Sequence, residues 1–155
     1  MDANFNLITH AMLVQQAKRW VEHQLTCGVV LAEYSCSTES IPDVIGFSKL
    51  RSVIIECKVS RSDFLADRRK PHRHQRKQLG NLRYYFVLPH TVCAEDVPDP
   101  WGLIYAGDKR CTIVKHAVPQ TEAEIRVAEY AILYSIARRC EIRGHLKKIQ
   151  DYTER

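Results

Sequence analysis

Hydrophobic and polar positions along the chain change period several times, and each change marks an element. From about Phe5 to Thr26, Leu7, Ala11, Val14, Ala17, Val21 and Leu25 recur at helical spacing. Lys18, Arg19, Glu22 and His23 lie between them, so the stretch predicts an amphipathic helix that stops near Gly28. Val29 to Tyr34 predicts a strand. Two arms rich in Val, Ile and Phe follow, Pro42 to Ser48 and Ser52 to Lys58, joined as a hairpin across Lys49-Leu50-Arg51. Strand side chains alternate between faces. Val53, Ile55, Cys57 and Val59 therefore share an apolar face, while Glu56 and Lys58 share the opposite one, which is expected to tolerate solvent.

Ser60-Arg61-Ser62-Asp63 has the pattern of a capping box, which predicts a helix start and gives Asp63 a structural role. That helix runs through Asp67, is interrupted or kinked at Pro71 and resumes toward Leu79. Leu82 to Pro89 reads as a central strand, and Ala94 to Asp96 as one helical turn. Trp101 to Ala106 and Cys111 to Lys115 form a second hairpin that turns at Gly107 to Arg110. Thr121, with Glu124 three residues on, caps a long final helix striped by Ile125, Ala128, Ile132, Ile136 and Cys140, and Gly144 ends or bends it. The order is helix, three strands, helix, strand, two strands, helix. It predicts an α/β fold with a mixed sheet flanked by helices. No repeat, low-complexity segment or linker divides residues 1–155, so one domain is expected.

Hydrophobic residues are 45% and charged residues 26%, values that argue against a disordered chain. No apolar run approaches the ~18 residues of a membrane span. The start Met1-Asp2-Ala3-Asn4 lacks the basic and then apolar pattern of a signal peptide. Six scattered cysteines without a CxxC pair argue against a zinc ribbon, and a reduced, cytoplasmic protein is expected. The net charge is +5, and its location carries more information. Arg61, Arg68, Arg69, Lys70, Arg73, Arg76 and Lys77 face only Asp63 and Asp67 in the same stretch, so the whole excess lies just after the Glu56/Lys58 strand. Such a cluster attracts polyanions, nucleic acid foremost, and a solvated helix face is the plainer alternative. His72 and His74 lie within it at a spacing that does not share a helix face.

Asp43 lies across the first hairpin from Glu56 and Lys58. Two converging carboxylates can hold a divalent cation such as Mg2+ through oxygen ligands. A neighbouring lysine can orient or deprotonate an attacking water and stabilise a phosphorane-like transition state. Read alone, Asp43 also fits a turn, and Glu56 with Lys58 a surface ion pair worth under about 1 kcal/mol.

Pro42-Asp43, followed by Glu56-Cys57-Lys58, resembles the signature of the PD-(D/E)XK nuclease superfamily. The run from Glu56 to Arg68 looks like a stretch of the MmcB-like DNA-repair group found in phage, prophage and bacterial proteins, as do Arg83 to Pro89 and Trp101 to Tyr105. The resemblance covers roughly residues 29–115. It implies a restriction-endonuclease-like core and a Mg2+- or Mn2+-dependent hydrolase of DNA phosphodiester bonds. Asp43 would bridge the metal, Glu56 would be the second ligand and the Cys57 backbone carbonyl a third. Lys58 would position or activate the water. Glu33 fits a further acidic ligand better than Glu22. Arg61, Arg68, Lys70, Arg73 and Arg76 would contact the DNA backbone. A non-catalytic nucleic-acid-binding module on this fold, and a small phage protein that binds a host protein, stay open alongside it. A homodimer is compatible with each, with no interface evident in the sequence.

Overall fold

The structure, a computed structural model, describes residues 7–35, 41–70, 79–121 and 123–150. Its elements are α1 (His10–Gln24), β1 (Val29–Ala32), β2 (Val44–Phe47), β3 (Ser52–Lys58), α2 (Arg61–Arg68), β4 (Leu82–Val87), β5 (Gly102–Tyr105), β6 (Thr112–Lys115), α3 (Ala123–Ile142) and α4 (His145–Gln150), with a 3-10 turn at Ala94–Asp96. The six strands form one open mixed sheet in sequence order. β1, β2 and β3 pair antiparallel, β3–β4 and β4–β5 pair parallel, and β6 closes the edge antiparallel to β5. The expected α/β architecture, a mixed sheet flanked by helices, is therefore present.

The period-2 pattern divides the core. Val44, Val53, Ile55, Cys57, Tyr84 and Phe86 face α1, which buries Leu13, Val14, Ala17, Trp20 and Val21 against them. Ile45, Ile54, Tyr85, Val87 and Leu103 face the other way and pack with Phe64 of α2 and Ile132 of α3. α1 begins at His10 rather than at Phe5. Thr9 is extended there, and its hydroxyl accepts the Met12 N–H at 3.3 Å, which caps the helix. Leu7 and Ala11, expected on the apolar stripe, are exposed, and Leu13 and Trp20 take their place. β1 stops at Ala32 because Glu33 turns into the left-handed region at φ 49°.

β3 departs most from expectation. All seven of its residues are buried, including Glu56 and Lys58 on the face expected to tolerate solvent. A strand between a β2 and a parallel β4 has helices over both faces, so neither side is left to water. α2 starts as the sequence predicts, with the Ser60 hydroxyl accepting the Asp63 N–H at 3.1 Å, and ends at Arg68. The break at Pro71, His72 and His74 lie outside the described residues. α3 buries Ile125 and Ile132 of its predicted stripe and turns into α4 at Gly144, where φ is +72°. The five described cysteines are free thiols, and Cys36 lies outside the described residues. No described helix is long and apolar enough to cross a membrane.

Gly102 lets β5 close on β4. A Cβ there would stand 2.4 Å from Tyr84 Cε1 and 2.6 Å from the Ala117 backbone nitrogen, which cannot withdraw. Gly102→Ala is expected to destabilise the fold by about 1–3 kcal/mol, the usual cost of overpacking. Urea unfolding checks this, and an unchanged midpoint would mean that the β4–β5 contact is looser than described.

Candidate active site

The C-terminal end of β3 gathers the ionisable groups. Glu56 is 3% exposed and Lys58 7% exposed, so a surface ion pair does not describe them. Lys58 Nζ lies 3.7 Å from Glu56 Oε2 and 3.2 Å from Oδ1 of Asp67, which is itself 2% exposed. Asp67 comes from α2. Phe64 anchors that helix in the core over β3, and the next turn lowers Asp67 onto Lys58. From β4, the Tyr85 hydroxyl donates to Asp67 Oδ2 at 2.9 Å. Tyr85 is the direct partner of Glu56 in the parallel ladder, which fixes its position. Lys70 reaches Asp67 Oδ1 from the rim at 3.3 Å.

Burial by itself would lower the Lys58 pKa. The carboxylates of Glu56, Asp67 and Asp43 outweigh that and hold it above the ordinary lysine value. At neutral pH Lys58 is therefore an ammonium, a donor of protons in hydrogen bonds and a fixed positive charge.

Asp43 precedes β2 by one residue. Continuing the register one step beyond Val44 and Ile55 sets it opposite Glu56. Its Oδ2 accepts the Cys57 N–H at 2.7 Å, so the side chain prolongs the ladder past the end of β2. Its Oδ1 lies 3.3 Å from His10 Nε2, at the start of α1. An extended residue turns its own N–H and C=O toward the same neighbouring strand. The Cys57 carbonyl thus opens on the side of Asp43. Glu33 is exposed, and its N–H donates to the Asp43 carbonyl at 2.9 Å. Burial first, then the charges of Asp43 and Glu56 and more weakly that of Glu33, push the Cys57 thiol pKa up. All three acids therefore surround the same residue.

Among the described residues, no group of three His, Cys, Asp or Glu side chains is placed to hold a metal ion. The oxygens that the register sets side by side are hard donors: the carboxylates of Asp43 and Glu56 and the Cys57 carbonyl. Mg2+ commonly uses one or two carboxylates and completes its octahedron with water and substrate phosphate, so this donor set fits it. Glu22 is elsewhere, paired with Lys18 at 3.3 Å along α1.

The predicted cationic residues separate. Arg61 is held by Asp96 in a two-pronged bridge of 2.6 and 2.9 Å, which ties α2 to the 3-10 turn. That bridge, helped by the Cys93 N–H, lowers the Asp96 pKa to about 2. Arg68 lies 5.8 Å above the Phe64 ring, and Lys70 is exposed beside Asp67. Arg73 and Arg76 lie outside the described residues. His10, Asp67 and Tyr85 join the site without having been singled out in the sequence. Asp67 alone left a trace there, as an acid inside a basic run.

No family model and no curated protein matches the chain. Among solved structures it is similar to SPO1766, a protein of unknown function from Silicibacter pomeroyi, with a TM-score of 0.63 and 23% identity over 96% of this chain and 98% of that one. At that identity the likeness extends to the fold.

Proposed function

We propose that the chain is a metal-dependent deoxyribonuclease of the PD-(D/E)XK type with a restriction-endonuclease-like core, related to the MmcB-like group and acting in DNA repair, recombination or phage DNA metabolism. The observation that carries this reading is the buried Lys58 ammonium, held between Glu56 and Asp67 next to the Asp43–Cys57 hydrogen bond. Burying a lysine and two carboxyl groups together costs several kcal/mol of desolvation, which a purely structural strand would avoid with apolar residues. The order of helix, three strands, helix and strand, with Asp43 and Glu56 on neighbouring strands, agrees with what the resemblance implies.

Asp43, Glu56 and the Cys57 carbonyl would hold Mg2+ or Mn2+, with Glu33, whose N–H bonds the Asp43 carbonyl, as a further acid. Bound there, the cation would polarise the scissile phosphate and its attacking water. Lys58, charged and fixed, donates a hydrogen bond to that water or to a phosphate oxygen and stabilises the charge that develops in the transition state. Asp67 and Tyr85 hold Lys58 in place. Lys70 and Arg68 at the rim, with Arg73 and Arg76 from the adjoining basic run, meet the phosphate backbone. Contacts of that kind give affinity without reading sequence.

Supercoiled plasmid and single-stranded circular DNA, incubated with the protein in Mg2+ or Mn2+, are expected to be cleaved, and EDTA is expected to stop the reaction. DNA binding without cleavage in either metal would instead support a binding module on the same fold.

A further inference from the structure

The outward face of α3 carries a second apolar stripe. Ala123, Val127, Tyr130, Tyr134 and Ala137 follow one another at intervals of four, three, four and three residues, the alternation of a coiled-coil seam. All five are exposed, Val127 by 72%, Tyr130 by 73% and Tyr134 by 61%, and the exposed Leu133 flanks them. At about 3.6 residues per turn, Tyr130 lies nearly opposite Ile132, which is buried in the chain's own core. α3 is thus apolar on two faces, and its own sheet covers only one. A continuous exposed seam of this kind marks an interface.

We infer that a second copy of this chain covers the seam, packed antiparallel across a two-fold axis. The pattern is its own complement when reversed. The seam continues to Glu141, and reading backward from there repeats the same intervals. Tyr130 of one copy then meets Tyr134 of the other, and Val127 meets the small Ala137. The flanking position that faces its own equivalent in an antiparallel pair holds Glu124, Ala131 and Arg138. Ala131 meets its copy near the axis, and Glu124 of each copy meets Arg138 of the other, twice by symmetry. On the opposite flank, Leu133 meets its copy. A parallel pairing offers no such match, because the flanks then set Arg126 against Ala131 and Leu133 against Arg138. This surface is independent of the nuclease reading.

Sedimentation equilibrium of the full chain at about 100 μM, a concentration that populates even modest interfaces, is expected to give twice the 17.9 kDa mass. Tyr130→Glu is expected to weaken association about tenfold or more while leaving the far-UV spectrum unchanged. Glu124→Arg is expected to weaken it as well, and Glu124→Arg combined with Arg138→Glu to restore it. A monomeric wild type at that concentration overturns the inference and leaves the face to a different protein. A Tyr130→Glu protein that associates as tightly as the wild type across a dilution series also overturns it, as does failure of the charge swap to restore what Glu124→Arg loses.

Discussion

Lys58→Met is expected to remove cleavage activity by a factor of about a thousand or more, and to destabilise the fold by about 3 kcal/mol. The side chain keeps its length, so packing alone changes little. What goes is the positive charge shared by Glu56 and Asp67, at 3.7 and 3.2 Å in a nearly dry site. Removing one partner of a buried ionic set leaves opposing carboxylates that must take up a proton or admit water, and both cost free energy. Activity and stability are therefore expected to fall together, and stability alone is expected to recover in part at low pH, where protonated carboxyls no longer need the lysine's charge. Urea unfolding at pH 5 and pH 8 checks the second half. A variant as stable as the wild type at both values would show that Lys58 is better solvated than its burial indicates.

Asp67→Asn is the more selective change. It keeps the volume and an oxygen for the Tyr85 hydroxyl, but removes one of the charges that raise the Lys58 pKa. The direction of the pH effect follows from the sign of that shift. Lys58 has a raised pKa in the folded state, so its charge stabilises the fold at all pH values below the ordinary lysine value of about 10.4. That contribution is lost as pH climbs through the raised value. The variant is expected to be less stable than the wild type at neutral pH, and the difference is expected to shrink in the alkaline range above pH ~10. Its cleavage rate is expected to fall about ten- to a hundredfold, with the alkaline limb of the pH profile moved to lower pH. A simple structural role for Asp67 would lower stability without moving that limb.

These two residues also show what the sequence could and could not disclose. Period-2 alternation made β2 and β3 legible, and with them the register that sets Asp43 opposite Glu56. The same alternation gave the two faces of β3 but not their burial, because burial depends on which helices close over the sheet. Asp67 was legible only as one acid in a basic run. Its partner Lys58 lies on another element, and only the docking of Phe64 brings the two together. His10 escaped for a similar reason, since the local pattern placed it mid-helix whereas the Thr9 cap makes it the first helical residue, beside Asp43. Arg61 read as a free cation because Asp96, its partner, lies 35 residues away. On α3, the inward stripe was visible, and the outward one was passed over because apolar residues on two helix faces dilute the periodicity that reveals either.

Asp43→Asn tests the proposed carboxylate pair most directly. The variant keeps an oxygen for the Cys57 N–H, so its fold is expected to hold, as its melting curve would confirm. Single-turnover cleavage of plasmid DNA in Mg2+ is expected in the wild type and lost by about a thousandfold or more in the variant. Cleavage at the wild-type rate in a folded Asp43→Asn protein would contradict the assignment of this site.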